Sequence, residues 1–223
     1  MFDRIARKYD FLNHFLSLNR DKSWRKQMIK HLPDRSGLDI LDLATGTGDQ
    51  LLALYESGKI KSGVGTDLAS KMMAIAAGKI NERGLASILS LVRGDGTRMP
   101  FADRSFDIVS ITFGIRNLPD VLQALSEMKR VLKPDGRALI LEFSLPSNRI
   151  LRKLYLFYFR KVLPLMGGMI SGDKEAYRYL NETVETFPYG DSFCRLMTEA
   201  GFSRVASHPL TFGISTIYRG DKS

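Results

Sequence analysis

The feature that most constrains this sequence is the run Leu41–Asp49, with the letters LDLATGTGD. The apolar segment Ile40–Ala44 is typical of a buried parallel strand, and the segment Gln50–Glu56 has the pattern of a helix. Between them, Gly46 and Gly48 allow a tight turn with positive φ, where a ligand can approach the backbone closely. The helix that follows offers unpaired N–H groups to that ligand. The run therefore predicts the first strand–turn–helix unit of an α/β sheet, with a ligand at the turn.

The residues around this turn favour a cationic ligand over a dinucleotide. A dinucleotide-binding turn has a third glycine where the helix packs on the strand, and Leu51 occupies that position here. Asp42 and Asp49 place negative charge on both sides of the turn, which suits a sulfonium better than a pyrophosphate. The turn therefore predicts S-adenosylmethionine as the cofactor and disfavours an NAD-dependent oxidoreductase. The candidate cofactor-binding residues of the turn are Asp42, Thr45, Gly46, Thr47 and Gly48.

Three further apolar runs end in residues that suit the same cofactor, because ligands of open α/β sheets bind at the carboxyl ends of the strands. Asp67 follows the second run about 20 residues after the glycines, where a ribose diol binds in a βαβ unit. A second interpretation stays open, in which Asp67 caps the helix beginning at Ala69–Ser70. The third run, Leu89–Arg93, precedes a Gly-Asp-Gly turn that suits adenine, and the fourth run is Phe106–Phe113. The candidates at these ends are Asp67, Leu68, Asp95, Gly96 and Thr112.

Strand and helix patterns alternate along the chain, which predicts a doubly wound sheet. Lys133–Gly136 is a stop-and-turn signal after a helix, and Arg137–Phe143 follows as the fifth strand. Ser203–Pro209 and Phe212–Tyr218 have the pattern of a closing hairpin whose last strand is antiparallel. The predicted fold class is therefore α/β, Rossmann-like, with a seven-stranded, mostly parallel sheet and an antiparallel last strand.

Composition limits the other classes of function. A chain of 223 residues suits one domain with a sizeable core, and its one cysteine, Cys194, excludes disulfides and cysteine-rich zinc sites. The three histidines lack the spacing of metal ligands, so we expect no metal site. No apolar stretch approaches the ~20 residues that span a bilayer, and no secretory signal is visible. These observations predict a cytoplasmic protein.

Motifs beyond the cofactor turn give the sequence a family resemblance. They are PFADRSFD (100–107), FGIRN (113–117), RVLKPDG (130–136), LRKLYLFYFRKVLPLMG (151–167) and GDKEAYRYL (172–180). With LDLATGTGD they resemble the UbiE/MenG family, the C-methyltransferases of menaquinone and ubiquinone biosynthesis, from Phe2 to about Gly220. The resemblance implies a single class I S-adenosylmethionine-dependent methyltransferase domain over residues 1–223. Within it we expect an N-terminal helical lid at 1–36 and a helical insertion on the substrate and membrane side at 144–190.

The resemblance also implies the reaction. A methyl group passes from S-adenosylmethionine to a ring carbon of a polyprenylated quinol. Demethylmenaquinol is the expected substrate, and a polyprenyl-methoxy-benzoquinol is the alternative. Such a reaction needs an electron-rich ring carbon, and ionising a phenol with a pKa near 10 at pH 7 costs about 4 kcal/mol.

Five residues are predicted to serve this chemistry or to close the site. Arg116, at the end of the fourth strand, is expected to stabilise the phenolate, since its own pKa is too high for a base. Asn117 is expected to orient a water or the second quinol oxygen. The alternative that Arg116 and Asn117 only hold their loop stays open. Tyr177 is expected to bracket the ring, Asp173 to accept a proton, and Tyr9 to belong to a lid over the cofactor.

The formal net charge of +9 is concentrated after the fifth strand, where no acidic residue stands between Phe143 and Gly172. One interpretation is a helix packed on the core with a solvated charged side. The other is an element that rests on anionic lipid, where each Lys or Arg contributes about 1 kcal/mol. Phe157 and Phe159 are expected to add aromatic surface. The pattern has an apolar face (Leu151, Leu154, Tyr155, Tyr158, Val162), basic residues (Arg149, Arg152, Lys153, Arg160, Lys161) and a candidate groove for the tail (Phe157, Leu163, Leu165, Met166, Met169).

Two rival functions come from other classes. A nucleic-acid methyltransferase would share the cofactor fold and explain the positive charge. Enzymes that methylate base amino groups often carry an Asn/Asp-Pro-Pro-Tyr/Phe motif where this chain has Gly114–Asn117. A non-catalytic lipid-quinone carrier would bind the quinol without methyl transfer. The expected partners are the quinol and, transiently, the inner membrane surface, with no nucleic acid; a homodimer is a further open expectation.

Overall fold

The computed structural model describes residues 17, 19–162 and 181–223. Tyr9, Asp173 and Tyr177 lie outside the described residues, as do Leu163, Leu165, Met166 and Met169 of the candidate groove. Residues 181–186 are helical, and short helical turns lie at Ile115–Asn117, Tyr158–Val162 and Thr211–Gly213. The helices and strands are α1 (Arg20–Ile29), β1 (Leu38–Leu43), α2 (Asp49–Tyr55), β2 (Ile60–Asp67), α3 (Ser70–Glu82), β3 (Leu89–Arg93), β4 (Phe106–Thr112), α4 (Val121–Val131), β5 (Leu132–Phe143), α5 (Arg149–Phe157), α6 (Asp191–Glu199), β6 (Ser203–Leu210) and β7 (Ser215–Asp221).

The strands form one seven-stranded sheet in the order β3-β2-β1-β4-β5-β7-β6. The first five strands pair in parallel, whereas β7 runs antiparallel to both β5 and β6. The strand order changes direction between β1 and β4, which are neighbours at the centre of the sheet. Ligands of open α/β sheets bind at such a switch point. The predicted fold class, including its antiparallel last strand, is confirmed.

Alternate residues of the central strands face two different layers of helices. Leu38 and Ile40 of β1 pack in one cluster with Trp24 of α1. Leu41 and Leu43 face the other way and pack with buried side chains of α4 and α6. Every residue of β4 is buried. Because helices cover both faces, a ligand reaches the centre of the sheet at the strand ends.

Strand β5 begins earlier than the sequence predicts. The stop-and-turn at Lys133–Gly136 is expected to separate the helix from the strand, and this prediction is wrong because the strand starts at Leu132, directly after α4. Leu132 pairs with Phe106 of β4. The backbone N–H of Asp135 donates to the carbonyl of Lys222 at 2.9 Å, although Asp135 has a φ of 59° and bends the strand. These partners hold β5 as one run that ends at the ligand-binding edge.

Helix α5 presents apolar side chains to its surroundings rather than to the core. Leu151 and Leu154 are exposed, so the interpretation in which this face packs on the core is wrong for them. Tyr155 and Phe159 make the contact with the core instead, with ring centroids 5.2 Å apart. The expectation of aromatic surface is confirmed for Phe157 and wrong for Phe159, which is buried. No helix within the described ranges is long and apolar enough to cross a membrane.

Candidate active site

A cleft of about 140 Å³ lies at the carboxyl ends of β1, β2 and β4. A smaller pocket lies on the other side of the glycine turn. Ala44, Gly46 and Thr112 line both, so one elongated ligand can occupy the two spaces together. Of the predicted cofactor residues, the cleft contains Gly46, Asp67, Leu68, Gly96 and Thr112, and the smaller pocket contains Asp42, Thr45, Gly46, Thr47 and Thr112.

The glycine turn between these spaces has the geometry that the sequence predicts. Gly46 and Gly48 have φ values of 57° and 84°, a region that other residues rarely adopt. A Cβ atom on Gly48 would lie 3.1 Å from the Cβ of Ala76 in α3. The N–H of Thr45 donates to the carbonyl of Thr66 at 3.0 Å, which fixes the turn to β2. Gly48 therefore shapes the turn without lining either space.

Asp67 joins the glycine turn to the beginning of α3. Its Oδ2 accepts a hydrogen bond from the N–H of Gly46 at 2.9 Å, and its Oδ1 accepts one from the N–H of Ala69 at 2.8 Å. The N-cap residue of α3 is Ala69, so Asp67 is not itself the N-cap residue, although its carboxylate binds the N–H at the start of this helix. A carboxylate has about four lone-pair sites. Because Asp67 also lines the cleft, its remaining sites suit ribose hydroxyls.

Apolar side chains and glycine backbone form another part of the cleft lining. Leu68 is 55% exposed although it is apolar, and it lines the cleft together with Gly94 and Gly96 of the next turn. Asp95 lies within that turn, and its Oδ1 accepts hydrogen bonds from the N–H and hydroxyl of Thr97 at 2.9 and 3.0 Å. The carboxylate of Asp95 thus closes the turn, while the glycines and Leu68 offer surface to a flat ring such as adenine.

Asp42 is the anionic group of the smaller pocket. Its buried carboxylate accepts hydrogen bonds from the hydroxyls of Ser110 at 2.6 Å and Thr45 at 2.7 Å. Burial raises the pKa of Asp42 to about 6, because the two hydroxyls offset only part of the desolvation. The other acidic residue of the turn, Asp49, forms an ion pair with Lys79 at 2.6 Å. Asp49 is therefore neutralised locally, and Asp42 is the carboxylate that favours a cationic ligand.

Two residues of the smaller pocket, Arg25 and Gln50, are not predicted from the sequence. Gln50 is 1% exposed, yet neither polar atom of its amide has a hydrogen-bond partner among the residues that the structure describes. The guanidinium of Arg25, in α1, lies 5.6 Å from the ring centroid of Phe113. Leaving buried polar atoms unpaired costs about 1–3 kcal/mol each, and a polar ligand removes that cost.

The charged and polar groups of the smaller pocket fit an α-amino acid. Its carboxylate would bind Arg25, its ammonium would bind Asp42, and the amide of Gln50 can serve either group. The cleft beside it fits adenosine through Asp67 and the apolar wall. The two spaces together fit S-adenosylmethionine, whose methionine and adenosine halves are joined at the sulfonium.

Arg116 lies beside the cleft in a buried ion pair. Its Nη1 donates to Oε1 of Glu142 at 2.6 Å and to the carbonyl of Phe113 at 2.7 Å, and the two charged side chains are 8% and 1% exposed. The guanidinium also lies 5.5 Å from the ring centroid of Phe143. Burial raises the pKa of Glu142, and the charge of Arg116 opposes this effect. Stabilisation of the substrate phenolate by Arg116 stays a prediction. The structure adds that the carboxylate of Glu142 lies next to the guanidinium.

Asn117 is the predicted substrate residue that lines the cleft itself. Its Nδ2 also donates to the carbonyl of Phe113, at 3.4 Å, so Arg116 and Asn117 both contact one backbone oxygen. The loop-holding alternative and the predicted role at the quinol are therefore compatible for this residue. Glu142, the ion-pair partner of Arg116, is a third polar residue at this edge and is not predicted from the sequence. A single acid within the apolar strand ALILEF was an available signal, because buried acids are rarely unpaired.

Known proteins are similar to this chain in sequence and in architecture. The ubiE/COQ5 methyltransferase family matches residues 1–222. The ubiquinone/menaquinone biosynthesis C-methyltransferase UbiE of Geotalea uraniireducens is 44% identical over 223 residues, covering 100% of this chain and 94% of that protein. The demethylmenaquinone methyltransferase of Thermus thermophilus is 44% identical over 222 residues, covering 100% of both chains. In fold, a SAM-dependent methyltransferase of Thermotoga maritima has a TM-score of 0.68 at 22% identity, covering 100% of this chain and 98% of that one. The chain belongs to the ubiE/COQ5 methyltransferase family.

Proposed function

We propose that this protein, a methyltransferase that uses S-adenosylmethionine, methylates a ring carbon of a polyprenylated quinol and converts demethylmenaquinol to menaquinol. The observation that carries the proposal is the buried Arg116–Glu142 ion pair, because Gly114 and Asn117, on either side of Arg116 in the sequence, line a cleft that fits the cofactor. A phenol needs help with its proton before its ring carbon becomes strongly nucleophilic, and a carboxylate paired with a guanidinium can give that help. The name of the Thermus thermophilus relative supports a naphthoquinol ring, and the name of the Geotalea uraniireducens relative is compatible with a naphthoquinol or a benzoquinol.

The residues of the chain position the reactants and set the charge around them. When bound, S-adenosylmethionine supplies an electrophilic methyl group. Asp42 favours positive charge near the smaller pocket, and Asp67 holds the turn that separates the two spaces. Thr112 lines both spaces, so Phe113 and Asn117, which follow it, border the region where a substrate would meet the cofactor. Holding two reactants in near-attack geometry supplies several kcal/mol.

Helix α5 supports contact with a membrane that holds the polyprenyl tail. Ile150, Leu154 and Phe157 are 71%, 61% and 63% exposed. Arg152 and Lys153 are exposed on the same helix and have no ion-pair partner among the described residues. Exposed apolar side chains next to cations suit the interface of an anionic bilayer. Arg160 forms an ion pair with Glu185, so its charge is compensated and it adds little to this surface.

The reaction is tested with methyl-labelled cofactor and purified protein under anaerobic, reducing conditions. Demethylmenaquinol, a polyprenyl-methoxy-benzoquinol and total RNA are offered separately, and the products are resolved by chromatography. We expect label in menaquinol and none in RNA. Binding of quinol without label in any product would replace the proposal with the carrier function. The oxidised quinone is the matched control, since it lacks the phenol whose ionisation activates the ring.

Membrane contact is tested by co-sedimentation with vesicles that contain anionic lipid. Arg152→Glu/Lys153→Glu reverses two charges on α5, and Lys22→Glu/Lys26→Glu reverses two charges on exposed residues of α1. Each basic residue near an anionic surface contributes about 1 kcal/mol, so we expect the α5 variant to lose at least about tenfold in partitioning. The α1 variant should sediment like the wild type. Equal losses in the two variants would assign the binding to net charge and remove α5 from the proposal.

A further inference from the structure

We infer that Glu142 accepts the phenolic proton of the quinol while Arg116 stabilises the oxygen that releases it. The inference rests on the proposed function and names the proton acceptor for that same site. It gives Glu142 the role that the sequence predicts for Asp173.

Both partners of the ion pair have one buried polar atom without a partner. Oε1 of Glu142 accepts from Arg116 and from the N–H of Phe143 at 2.9 Å, but Oε2 has no hydrogen bond anywhere in the described part of the chain. Nε of Arg116 is likewise buried and unpaired there. The pair therefore offers one free acceptor and one free donor, and native structures rarely leave such atoms unsatisfied.

A quinol hydroxyl matches this vacant donor and acceptor. The hydroxyl oxygen accepts one hydrogen bond, which Nε–H of Arg116 supplies, and its proton is donated in turn, which Oε2 of Glu142 accepts. Gly114 and Asn117, on either side of Arg116 in the sequence, line the cleft, and the ion pair is buried next to this part of the lining. A ligand with only acceptor groups would leave Glu142 unpaired, and a ligand with only donor groups would leave Arg116 unpaired.

The surroundings favour Glu142 as the base over the other titratable groups nearby. Among the described residues, Tyr155 of α5 interacts electrostatically with Arg116, and Tyr218 of β7 does so with Glu142. Burial raises the pKa of both tyrosines, that of Tyr218 to about 12, so neither is available as a base at neutral pH. Burial also raises the pKa of Glu142. A carboxylate with a raised pKa accepts a phenolic proton more readily than an exposed one does.

The proton balance of the reaction is complete with this assignment. The phenolic proton moves to Oε2 of Glu142 as the ring carbon forms its bond to the methyl group and the methyl–sulfur bond breaks. The ring carbon then loses its own hydrogen as a proton to solvent, which restores the aromatic ring. Glu142 returns its proton to the oxygen, so one proton is released for each methyl group transferred. Arg116 remains protonated throughout.

The test uses Glu142→Gln, which keeps the shape of the side chain and removes the base. At pH 7 we expect kcat to fall by at least about 100-fold, the lower range for loss of general acid–base catalysis, with the cofactor Kd within about twofold. The defect should shrink as the pH rises towards 10, because the quinol then ionises without help. Glu127→Gln is the matched control, since Glu127 also pairs with an arginine, Arg130, but on α4. It should leave both kcat and its pH profile unchanged.

A pH-independent defect in Glu142→Gln, or turnover close to that of the wild type, would overturn the inference. If that variant does not fold, Glu142→Asp serves instead, because it retains a carboxylate. The pH at which kcat falls on the acid side should differ between Glu142→Asp and the wild type. An unchanged pH would also overturn the inference. Failure of the wild type to methylate any quinol is a separate outcome that removes the proposed function itself.

Discussion

Two buried acids lie at the same edge of the sheet, Asp42 on β1 and Glu142 on β5, and their hydrogen-bond partners differ in charge. Asp42 is held by two neutral hydroxyls and has no ion pair among the described residues. Glu142 has a guanidinium at 2.6 Å and an oxygen with no hydrogen bond in the described ranges. The charge of Arg25 acts on Asp42 without an ion pair between them, so the cofactor brings Asp42 a cation that can contact it, whereas the quinol brings Glu142 a proton donor. The difference divides the site into a half that binds a cation and a half that receives a proton.

The largest expected effect comes from removing the charged pair altogether. In Arg116→Met/Glu142→Leu both charges are replaced by apolar groups of similar size, a change that is often neutral or stabilising for a buried pair. We expect the variant to fold and bind the cofactor while methyl transfer falls by about 10³-fold or more, since acid–base catalysis and charge stabilisation are lost together. Thermal unfolding, calorimetry and labelled turnover measure the three properties.

Comparison of the single variant Arg116→Ala with the double variant separates the effect of the ion pair on stability from its effect on catalysis. It leaves the carboxylate of Glu142 buried without its cation, which costs about 3–5 kcal/mol. We therefore expect a lower unfolding midpoint than in the double variant, with kcat reduced by about 10²-fold or more. Near-normal turnover in either protein would mean that the pair only holds its loop, as the alternative interpretation of Arg116 has it.

The next largest effect concerns the cation-binding half. Asp42→Asn retains the shape and removes the charge, so we expect the cofactor Kd to rise by about 10- to 100-fold, which corresponds to about 1.4–2.8 kcal/mol. The kcat at saturating cofactor should change little. Asp39→Asn is the matched control, because Asp39 lies on the same strand at the opposite edge and pairs with Lys133. Equal affinities for Asp42→Asn and the wild type would remove Asp42 from the cofactor site.

The same comparison shows why the sequence predicts one half of the site better than the other. Gly46, Gly48 and Asp67 lie within one strand–turn–helix–strand unit, where local backbone rules place them. Arg25 lies on α1, which precedes the first strand in the sequence. Its position at the smaller pocket therefore depends on how α1 packs against the sheet. Glu142 meets Arg116 only because β5 pairs with β4. The fold class follows from alternating patterns, whereas contacts between distant segments depend on tertiary packing that no local pattern encodes.

A moderate effect is expected from pH, because Asp42 has a pKa of about 6. A cationic ligand stabilises the carboxylate, so binding lowers this pKa and releases a proton. Cofactor affinity should therefore increase as the pH rises through 6 and level off near 7. At pH 5 about a tenth of Asp42 is ionised, so the apparent Kd should be about tenfold weaker than at pH 7. Calorimetry in buffers of different ionisation enthalpy measures the released proton, and Asp42→Asn should abolish both effects.

The smallest expected effect tests whether the unpaired amide of Gln50 is reserved for the cofactor. Gln50→Leu removes two buried polar atoms that have no partner in the described residues. The ligand-free protein should therefore gain about 1 kcal/mol in its free energy of unfolding. The cofactor Kd should rise several-fold, because the amide no longer contacts the amino acid end. Chemical denaturation with and without cofactor measures both changes. A variant that is destabilised without cofactor, yet binds it normally, would show that the amide serves the fold and that Asp42 and Arg25 alone bind the amino acid end.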